Sequence, residues 1–206
     1  MKKVQPGTSP AARSTYDKIM NAAAECMLQN GYRDTRMTVV ADMSGISRAA
    51  LYKYFPTKDS LLLELNRKVL EEAQEDSRRL SASKAPALEV IREWLLKYLN
   101  TEQAGFVRAV MIDDAQQVLI QGQEATEATL NDVKKALVKV LRRGIKSGEI
   151  RDDIKPADTA HMLQGVVFSV KRNYLSTRPV IDLREQKYRT LLVETISAGL
   201  RSGNRD

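Results

Sequence analysis

Cysteine and histidine are nearly absent from this sequence. Of its 206 residues, one is cysteine, Cys26, and one is histidine, His161. A single cysteine cannot form a disulfide within the chain, and one thiol with one imidazole provides few metal ligands and few groups for acid–base or thiol catalysis. We therefore predict no metal and no cofactor, and we expect Cys26 to be a buried apolar side chain.

Long apolar runs and catalytic motifs are also missing. No apolar run approaches the roughly 20 residues that a membrane-spanning helix needs, and the N-terminus has two lysines but no apolar segment of a secretion signal. The sequence has no glycine-rich phosphate loop and no Ser/His/Asp set. These absences favour a cytoplasmic protein that is not an enzyme and has no membrane partner.

The pattern that is present is helical periodicity over most of the chain. Hydrophobic residues make up 43% of the sequence, enough to form a core, and they recur at helical spacing without the alternation typical of strands. The predicted fold class is therefore all-α. Apolar spacing together with Gly and Pro boundaries predicts helices over 11–30, 36–43, 47–55, 58–80, 87–100, 106–120, 123–146, 157–176 and 182–200.

Residues 35–58 carry the most specific pattern, TRMTVVADMSGISRAALYKYFPTK. Gly45 supplies the backbone freedom for a tight turn between two short helices, and the Ser47 hydroxyl can cap the second helix. Leu51 and Phe55, four residues apart, would hold that helix on a core. This combination indicates a helix-turn-helix, whose second helix enters the major groove of DNA.

The outer face of that second helix carries the groups that a DNA contact needs. Arg48 can donate to guanine or to a phosphate, small residues at 49 and 50 let the backbone approach base edges, and the tyrosines and lysines can hold phosphates. An ordinary amphipathic helix does not need two exposed tyrosines beside a lysine and an arginine. The predicted DNA contacts are Thr38, Ser47, Arg48, Ala49, Ala50, Tyr52, Lys53, Tyr54 and Lys58.

The net charge of +7 is unevenly distributed along the chain. Residues 1–58 hold nine Lys or Arg and four Asp or Glu, whereas residues 59–206 hold 24 and 22. The basic excess coincides with the helix-turn-helix, where a phosphate-binding surface requires it. An architectural protein that binds DNA without sequence preference remains the alternative, although its basic charge would extend over the whole chain.

Composition and spacing predict four consecutive parts of the chain. A flexible tail over 1–10 precedes a helix-turn-helix domain over 11–57 and a connector helix over 58–80. The stretch SASKAP at 81–86 marks the boundary of a ligand-binding and dimerisation domain over 81–206. The basic tail is interpreted as a loose terminus, with insertion into a minor groove as the alternative.

The motif residues resemble the TetR family of bacterial transcription regulators. The resemblance covers about 30 residues and departs from the usual family pattern at Ser44 and Ala49, where alanine and glycine are common. The matching text is G31-Y32-x-x-T35, V40-A41-x-x-S44-G45-I46-S47 and L51-Y52-x-Y54-F55-P56-x-K58-D59-x-L61. The resemblance implies a three-helix DNA-binding unit, a helical ligand-binding domain, and a homodimer formed by the last two helices. It implies that the DNA backbone is held by Tyr52, Tyr54 and Lys58, while bases are read near Arg48, Ala49, Ala50 and Lys53.

The C-terminal helices contain candidate residues for an effector pocket. An apolar pocket with few polar groups suits a hydrophobic effector, and Asp113 with Asp114 could attract a cationic one, although such a pair is more often solvated or a helix cap. Each apolar candidate taken alone is also compatible with core packing, and His161 with packing or an interface. The candidate ligand-binding residues are Trp94, Tyr98, Phe106, Met111, His161, Met162 and Phe168.

Apolar stripes on the last two helices predict the dimer interface. A helix that is apolar on more than one face must be covered on more than one side, and a palindromic operator needs a protein with two-fold symmetry. The predicted interface residues are Leu163, Val166, Val167, Val170, Tyr188, Leu191, Leu192, Thr195 and Ile196. The sequence thus predicts a repressor that a small hydrophobic or cationic effector releases from palindromic double-stranded DNA.

Overall fold

The computed structural model describes residues 10–99, 109–110, 113–173, 182 and 185–203. Two of the candidate ligand residues, Phe106 and Met111, lie outside this range. The described chain is helical, and its helices are α1 (Pro10–Asp34), α2 (Met37–Ser44), α3 (Arg48–Tyr54), α4 (Lys58–Ala82), α5 (Ala87–Leu99), α6 (Gln116–Leu119), α7 (Gln123–Lys146), α8 (Pro156–Asn173) and α9 (Gln186–Leu200). The all-α prediction is confirmed.

The described residues form two compact units, and the division lies inside α4, between Val69 and Leu70. The sequence had placed the end of the DNA-binding domain at residue 57 and a boundary at residues 81–86. The packing differs because Leu61, Leu62 and Leu65, in the first turns of α4, have no exposed surface and belong to the first core. The connector helix is therefore shared by both units rather than lying between them.

The first unit is built around α1, which supplies nearly half of the buried residues in its core. Tyr16, Ile19, Met20 and Met27 of this helix are at most 2% exposed. They pack with Leu51 and Phe55 and with the leucines of α4. Cys26 also lies in this core as a buried thiol, as its apolar neighbours in the sequence predicted.

The segment before α7 belongs to the first unit, which the sequence did not predict. We had expected a helix over 106–120 that would help to form the effector pocket. Within the described chain, residues 109–110 are helical, and Asp113–Gly122 consists of two 3-10 turns on either side of the four-residue helix α6. The buried residues of this region, Ala109, Val110, Ala115 and Leu119, pack in the first core.

The second unit is built from the C-terminal part of α4 and from α5, α7, α8 and α9. Gly144 of α7 allows Ile150 and Ala87, the first residue of α5, to approach this helix closely. A Cβ atom at Gly144 would lie 2.5 Å from Cδ1 of Ile150 and 2.7 Å from Cβ of Ala87. The Glu149 carboxylate accepts hydrogen bonds from the backbone N–H groups of Ala87 and Leu88 at 2.7 and 2.8 Å. The N-terminus of α5 is thereby capped by a residue 61 positions later in the chain.

Two absences hold within the described part of the chain. None of its helices is long and apolar enough to cross a membrane. Its cysteine, histidine and carboxylate side chains form no group of three or more that could hold a metal ion.

Candidate nucleic-acid interface

The turn between α2 and α3 has the geometry that the sequence predicted. Gly45 adopts the left-handed conformation, with φ of 68° and ψ of 30°, and its N–H bonds back to the last turn of α2. A side chain is strained in this conformation, whereas glycine adopts it at little cost. Ile46 then donates its N–H to the carbonyl of Ala41 at 3.2 Å, which fixes the chain as it enters α3.

Two local contacts fix the position of α3. The Ser47 hydroxyl accepts a hydrogen bond from the N–H of Ala50 at 3.1 Å, so Ser47 is the predicted N-cap. On the inner side, Leu51 and Phe55 are fully buried, and the ring of Phe55 lies 6.0 Å from the ring of Tyr16. The helix therefore presents one face to the core and leaves the other exposed.

The exposed face of α3 carries four of the nine predicted DNA contacts. The side chains of Arg48, Ala49, Tyr52 and Lys53 are exposed, and Tyr52 keeps 46% of its surface accessible. A large aromatic residue on an open helix face has no packing role, whereas its hydroxyl can donate to a phosphate. These four residues thus lie where a nucleic acid can reach them.

Three other residues that were predicted to contact DNA are less exposed to solvent than expected. Tyr54 is half-buried and packs against the first core, so it is not simply an outward-facing side chain. Thr38 and Ala50 are half-buried as well. Helical periodicity placed Ala50 and Tyr54 on the outer face of the second helix and Thr38 on the outer side of the first helix, and the fold covers part of each of these side chains.

The Lys58 side chain also interacts with other residues of the protein. Its ammonium donates a hydrogen bond to the carbonyl of Arg33 at 2.7 Å and lies 4.6 Å from the centre of the Tyr32 ring. A DNA contact by Lys58 would have to be added to these interactions or would replace them. Sequence spacing could not reveal this, because Arg33 lies 25 residues earlier in the chain and Tyr32 one residue before that.

The structure adds Arg36 to the candidate interface, a residue that sequence reasoning missed. Arg36 is exposed and lies immediately before the first turn of α2, where no side chain caps the helix. The backbone N–H groups and the positive end of a helix dipole favour a phosphate at such a position. A basic residue next to a predicted helix start was the signal in the sequence.

A buried polar network holds α4 against α1. The Tyr16 hydroxyl donates to the carboxylate of Glu64, and Arg67 donates to both oxygens of the same carboxylate at 2.6 and 2.8 Å. Burial, followed by the bond to Glu64, raises the pKa of the Tyr16 hydroxyl above its ordinary value. The neutral phenol is thus the form that the fold requires.

A similar contact lies at the start of α4. The Tyr32 hydroxyl donates to the Asp59 carboxylate, and burial together with this bond raises the pKa of Tyr32 above its ordinary value. Because Tyr32 lies in the last turn of α1 and Asp59 in the first turn of α4, this bond fixes the two helices at the end nearest α2.

The second unit contains a buried aromatic pair that the sequence had assigned to an effector. The rings of Trp94 and Tyr98 lie 5.3 Å apart on α5. The Tyr98 hydroxyl donates to the buried Asp76 carboxylate at 2.8 Å, and Lys97 donates to both oxygens of that carboxylate. Burial, followed by the bond to Asp76, raises the pKa of Tyr98.

The indole N–H of Trp94 lacks a hydrogen bond, whereas the polar groups of Asp76, Lys97 and Tyr98 are bonded to one another. The side chain of Trp94 is 6% exposed, and its Nε1–H has no hydrogen-bond partner, the one such buried side-chain nitrogen or oxygen in the described residues. A buried donor without a partner destabilises a protein.

The other ligand candidates do not join this pair. Met162 and Phe168 are 51% and 43% exposed on α8, and His161 is exposed as well, so none of the three lies in the core of the second unit, and their assignment as ligand contacts stays a prediction. An open groove of about 540 Å³ lies between α4 and α7. It contains none of the candidates and has polar walls formed by Gln74, Ser77, Arg78, Ser81, Asp132, Lys135, Ala136 and Lys139.

The predicted dimer residues divide into two groups. Leu163 and Val167 are 0% and 5% exposed and lie in the core of the second unit, so their assignment to an interface is wrong. Leu191 is 63% exposed on α9 and Thr195 is exposed one turn later. The remaining members of the stripe are half-buried: Val166, Val170, Tyr188, Leu192 and Ile196.

Three large apolar side chains of the last two helices are exposed, Met162 and Phe168 of α8 and Leu191 of α9, and we call these three residues together the α8/α9 face. Gly165 of α8 and Gly199 of α9 are exposed as well, and a Cβ atom at either would meet nothing within 4 Å. Large apolar side chains beside small residues form a surface that allows helices to approach closely, and such exposed patches commonly mark interfaces.

Comparison with known proteins identifies the N-terminal region. Residues 19–65 match the family model described as bacterial regulatory proteins, tetR family. This range extends from the middle of α1 into α4 and includes the whole helix-turn-helix. The resemblance drawn from the motif residues is confirmed.

Relatives extend the similarity over most of the chain. A fatty acid metabolism regulator protein of Bacillus subtilis (strain 168) is 24% identical over 175 residues, which are 83% of this chain and 89% of that protein. The structure of the ketosteroid transcriptional regulator KstR2 of Mycobacterium tuberculosis has a TM-score of 0.71 at 22% identity and covers 97% of this chain and 100% of its own. A SmeT–triclosan complex has a TM-score of 0.68 at 21% identity and covers 92% and 93%.

Proposed function

We propose that this chain, whose residues 19–65 match the model of the TetR family of bacterial regulatory proteins, is a homodimeric repressor that a small effector releases from a palindromic operator. The observation that carries the proposal is the outer face of α3. It presents Arg48, Tyr52 and Lys53 on a helix that Ser47 caps and Leu51 holds on the core. A helix-turn-helix dimer reads two half-sites about one DNA turn apart with such faces.

The exposed apolar surface of the second unit supports a dimer. The α8/α9 face has three large apolar side chains that are between 43% and 63% exposed, and a second copy of the same face would cover them. A two-fold axis places identical patches against each other, which agrees with a palindromic DNA site. The half-buried Val166 and Leu192 would lie at the edge of this contact.

The unpartnered donor of Trp94 supports an effector with a hydrogen-bond acceptor. The rings of Trp94 and Tyr98 lie side by side at this position, and the Tyr98 hydroxyl is already bound to Asp76. An apolar molecule with a carbonyl, hydroxyl or ether oxygen would fit this combination. Three relatives are named for molecules with this chemistry, namely a fatty acid, a ketosteroid and triclosan.

Selection of bound DNA tests the proposed operator. The full-length protein would be mixed with a pool of random duplexes, and bound molecules would be sequenced and footprinted. We expect enrichment of a palindrome with half-site centres about 10 base pairs apart. Lys53→Ala should weaken binding to this site, and Tyr54→Phe should do so while retaining the packing of the half-buried ring. Uniform protection of every duplex would reject the regulator in favour of an architectural protein.

Intrinsic fluorescence tests the proposed effector site directly, because Trp94 is the sole tryptophan of the chain. Oleic acid, a ketosteroid and triclosan would serve as probes, each titrated into the protein with and without the selected DNA. A probe that binds beside Trp94 should change its emission and lower the affinity for DNA. If a probe releases DNA but leaves the emission unchanged, the assignment of Trp94 is wrong although the repressor function holds.

A further inference from the structure

We propose that Asp114 is a positioning residue for operator binding, because it holds the turn that joins α1 to α2; this inference depends on the proposed function. Asp114 lies outside the helix-turn-helix, 82 residues after Tyr32. It is nevertheless the side chain that fixes the backbone where the chain leaves α1. The DNA-binding unit therefore requires a residue that its local motif does not contain.

The two carboxylate oxygens of Asp114 each accept a backbone hydrogen bond. The N–H of Tyr32 donates to Oδ1 at 3.1 Å, and the N–H of Arg33 donates to Oδ2 at 2.7 Å. Hydrogen bonds from backbone N–H groups to an ionised carboxylate are stronger than bonds between neutral groups. Two such bonds to adjacent residues fix both the position and the orientation of the backbone.

The backbone needs this partner because the helix is interrupted at Gly31. Gly31 has φ of 78° and ψ of 166°, which is not a helical conformation. The N–H groups that follow such a break act like those at a helix start and need external acceptors. A Cβ atom at Gly31 would lie 3.3 Å from Oδ2 of Asp114, so glycine at this position also makes room for the carboxylate.

The turn held by Asp114 determines how α2 and its basic residues are presented. The Thr35 hydroxyl donates to the carbonyl of Gly31 at 2.7 Å, and Lys58 donates to the carbonyl of Arg33. Arg33 and Arg36 are exposed in this same stretch, directly before α2 begins. A displaced turn would shift both arginines and the start of α2 relative to α3.

The segment that carries Asp114 is itself anchored. Ala115 next to it is fully buried and Leu119 is 9% exposed, and both pack in the first core. The segment ends at Gly122 and continues directly into α7. The carboxylate is therefore held in place by the core of the first unit.

Binding measurements on Asp114→Asn and Asp114→Ala test the proposal, using full-length protein and the selected DNA. Removing a negative charge strengthens DNA binding on electrostatic grounds alone. A positioning role predicts the opposite, a loss of specific affinity of about tenfold or more for Asp114→Ala. We expect a smaller loss for Asp114→Asn, which retains one acceptor oxygen. Amide hydrogen exchange at Tyr32 and Arg33 should become faster in both variants.

Asp42→Asn is the matched control, because Asp42 is an exposed aspartate of α2 in the same unit. It removes the same charge and should leave binding unchanged or make it tighter. Equal affinity of the Asp114 variants and the wild-type protein would overturn the inference. So would a loss of cooperative folding in both variants, since Asp114 would then be a general stabilising residue. If the wild-type protein itself binds no palindrome, the proposed function fails first.

Discussion

The hydroxyl of Tyr16 in α1 donates a hydrogen bond to the carboxylate of Glu64 in α4, 48 residues later in the chain. Lys68 lies 4.7 Å from the centre of the Tyr16 ring and bonds to Asp17, which gives the same two helices a second contact. The helix-turn-helix thus rests on a pair of helices that buried polar groups hold in one arrangement. Removal of the Glu64 carboxylate would take away the acceptor of the buried Tyr16 hydroxyl.

Stability should fall at alkaline pH because of the buried tyrosines. The folded-state pKa values of Tyr16, Tyr32 and Tyr98 are all raised above the ordinary value of 10.0. In the unfolded chain these phenols lose their protons near the ordinary value, so the stabilisation is fully present below pH 10.0 and is lost progressively above it. Urea unfolding at about pH 8 and about pH 11 should show a lower midpoint at the higher pH.

The Tyr16→Phe variant is the control for this pH dependence. It lacks one of the three phenols, so its loss of stability between the two pH values should be smaller than that of the wild-type protein. Equal midpoints for the wild-type protein at both pH values would contradict the assignment of these tyrosines as buried neutral groups.

Gly144→Ala should destabilise the second unit by about 1–3 kcal/mol, because the added methyl group overlaps Ile150 and Ala87. Alanine ordinarily favours a helix over glycine, so helix propensity predicts the opposite sign. Urea unfolding would measure the change. Ile150→Val removes the nearest atom of the overlap and should partly restore the stability of Gly144→Ala. Additive effects of the two substitutions would show that the atoms do not meet.

Ser47 should separate helix capping from DNA binding. Ser47→Ala removes the acceptor for the N–H of Ala50 and should lower stability by about 1 kcal/mol. Ser47→Asp retains an acceptor at the cap but adds a negative charge on the exposed side of α3, so stability should persist while operator affinity falls. Unfolding midpoints and fluorescence anisotropy with labelled DNA would measure the two effects. Undiminished DNA affinity of Ser47→Asp would place this residue away from the phosphates.

Leu191→Glu should disrupt the dimer, because it introduces a charge into the α8/α9 face. Ile120→Glu is a matched control, since Ile120 lies in the first unit and has the same exposed fraction of 63%. Light scattering should show a lower mass for Leu191→Glu at concentrations where Ile120→Glu and the wild-type protein keep the dimer mass. If Leu191→Glu also keeps that mass, the interface lies elsewhere.

Local signals predicted the first unit well. Gly45 in its turn and Ser47 at its cap are defined by interactions within a few residues, as are the bounds of α2 and α3. Backbone conformational preference and capping chemistry act over that range, so a sequence contains them directly. The family resemblance depends on the same short stretch.

The helical spacing of apolar residues predicted the packing of the second unit less completely. The stripe on α8 identified apolar positions but not their partners, so Leu163 and Val167 were assigned to an interface although they are buried in the core. Met162 and Phe168, assigned to a pocket, form the exposed face instead. A repeat of about 3.6 residues shows that a face is apolar, and it contains no information about which surface covers it.

The sequence alone determined the all-α class, the helix-turn-helix and its basic outer face, because each follows from spacing and chemistry along a short stretch of chain. The tertiary structure alone decided that Asp114 holds the turn after Gly31, that Lys58 is bound to Arg33, and that Trp94 retains a buried donor without a partner. Contacts of this kind join residues that are distant in the chain or depend on how closely whole helices pack. Only the folded arrangement brings those groups within hydrogen-bonding distance or keeps them apart.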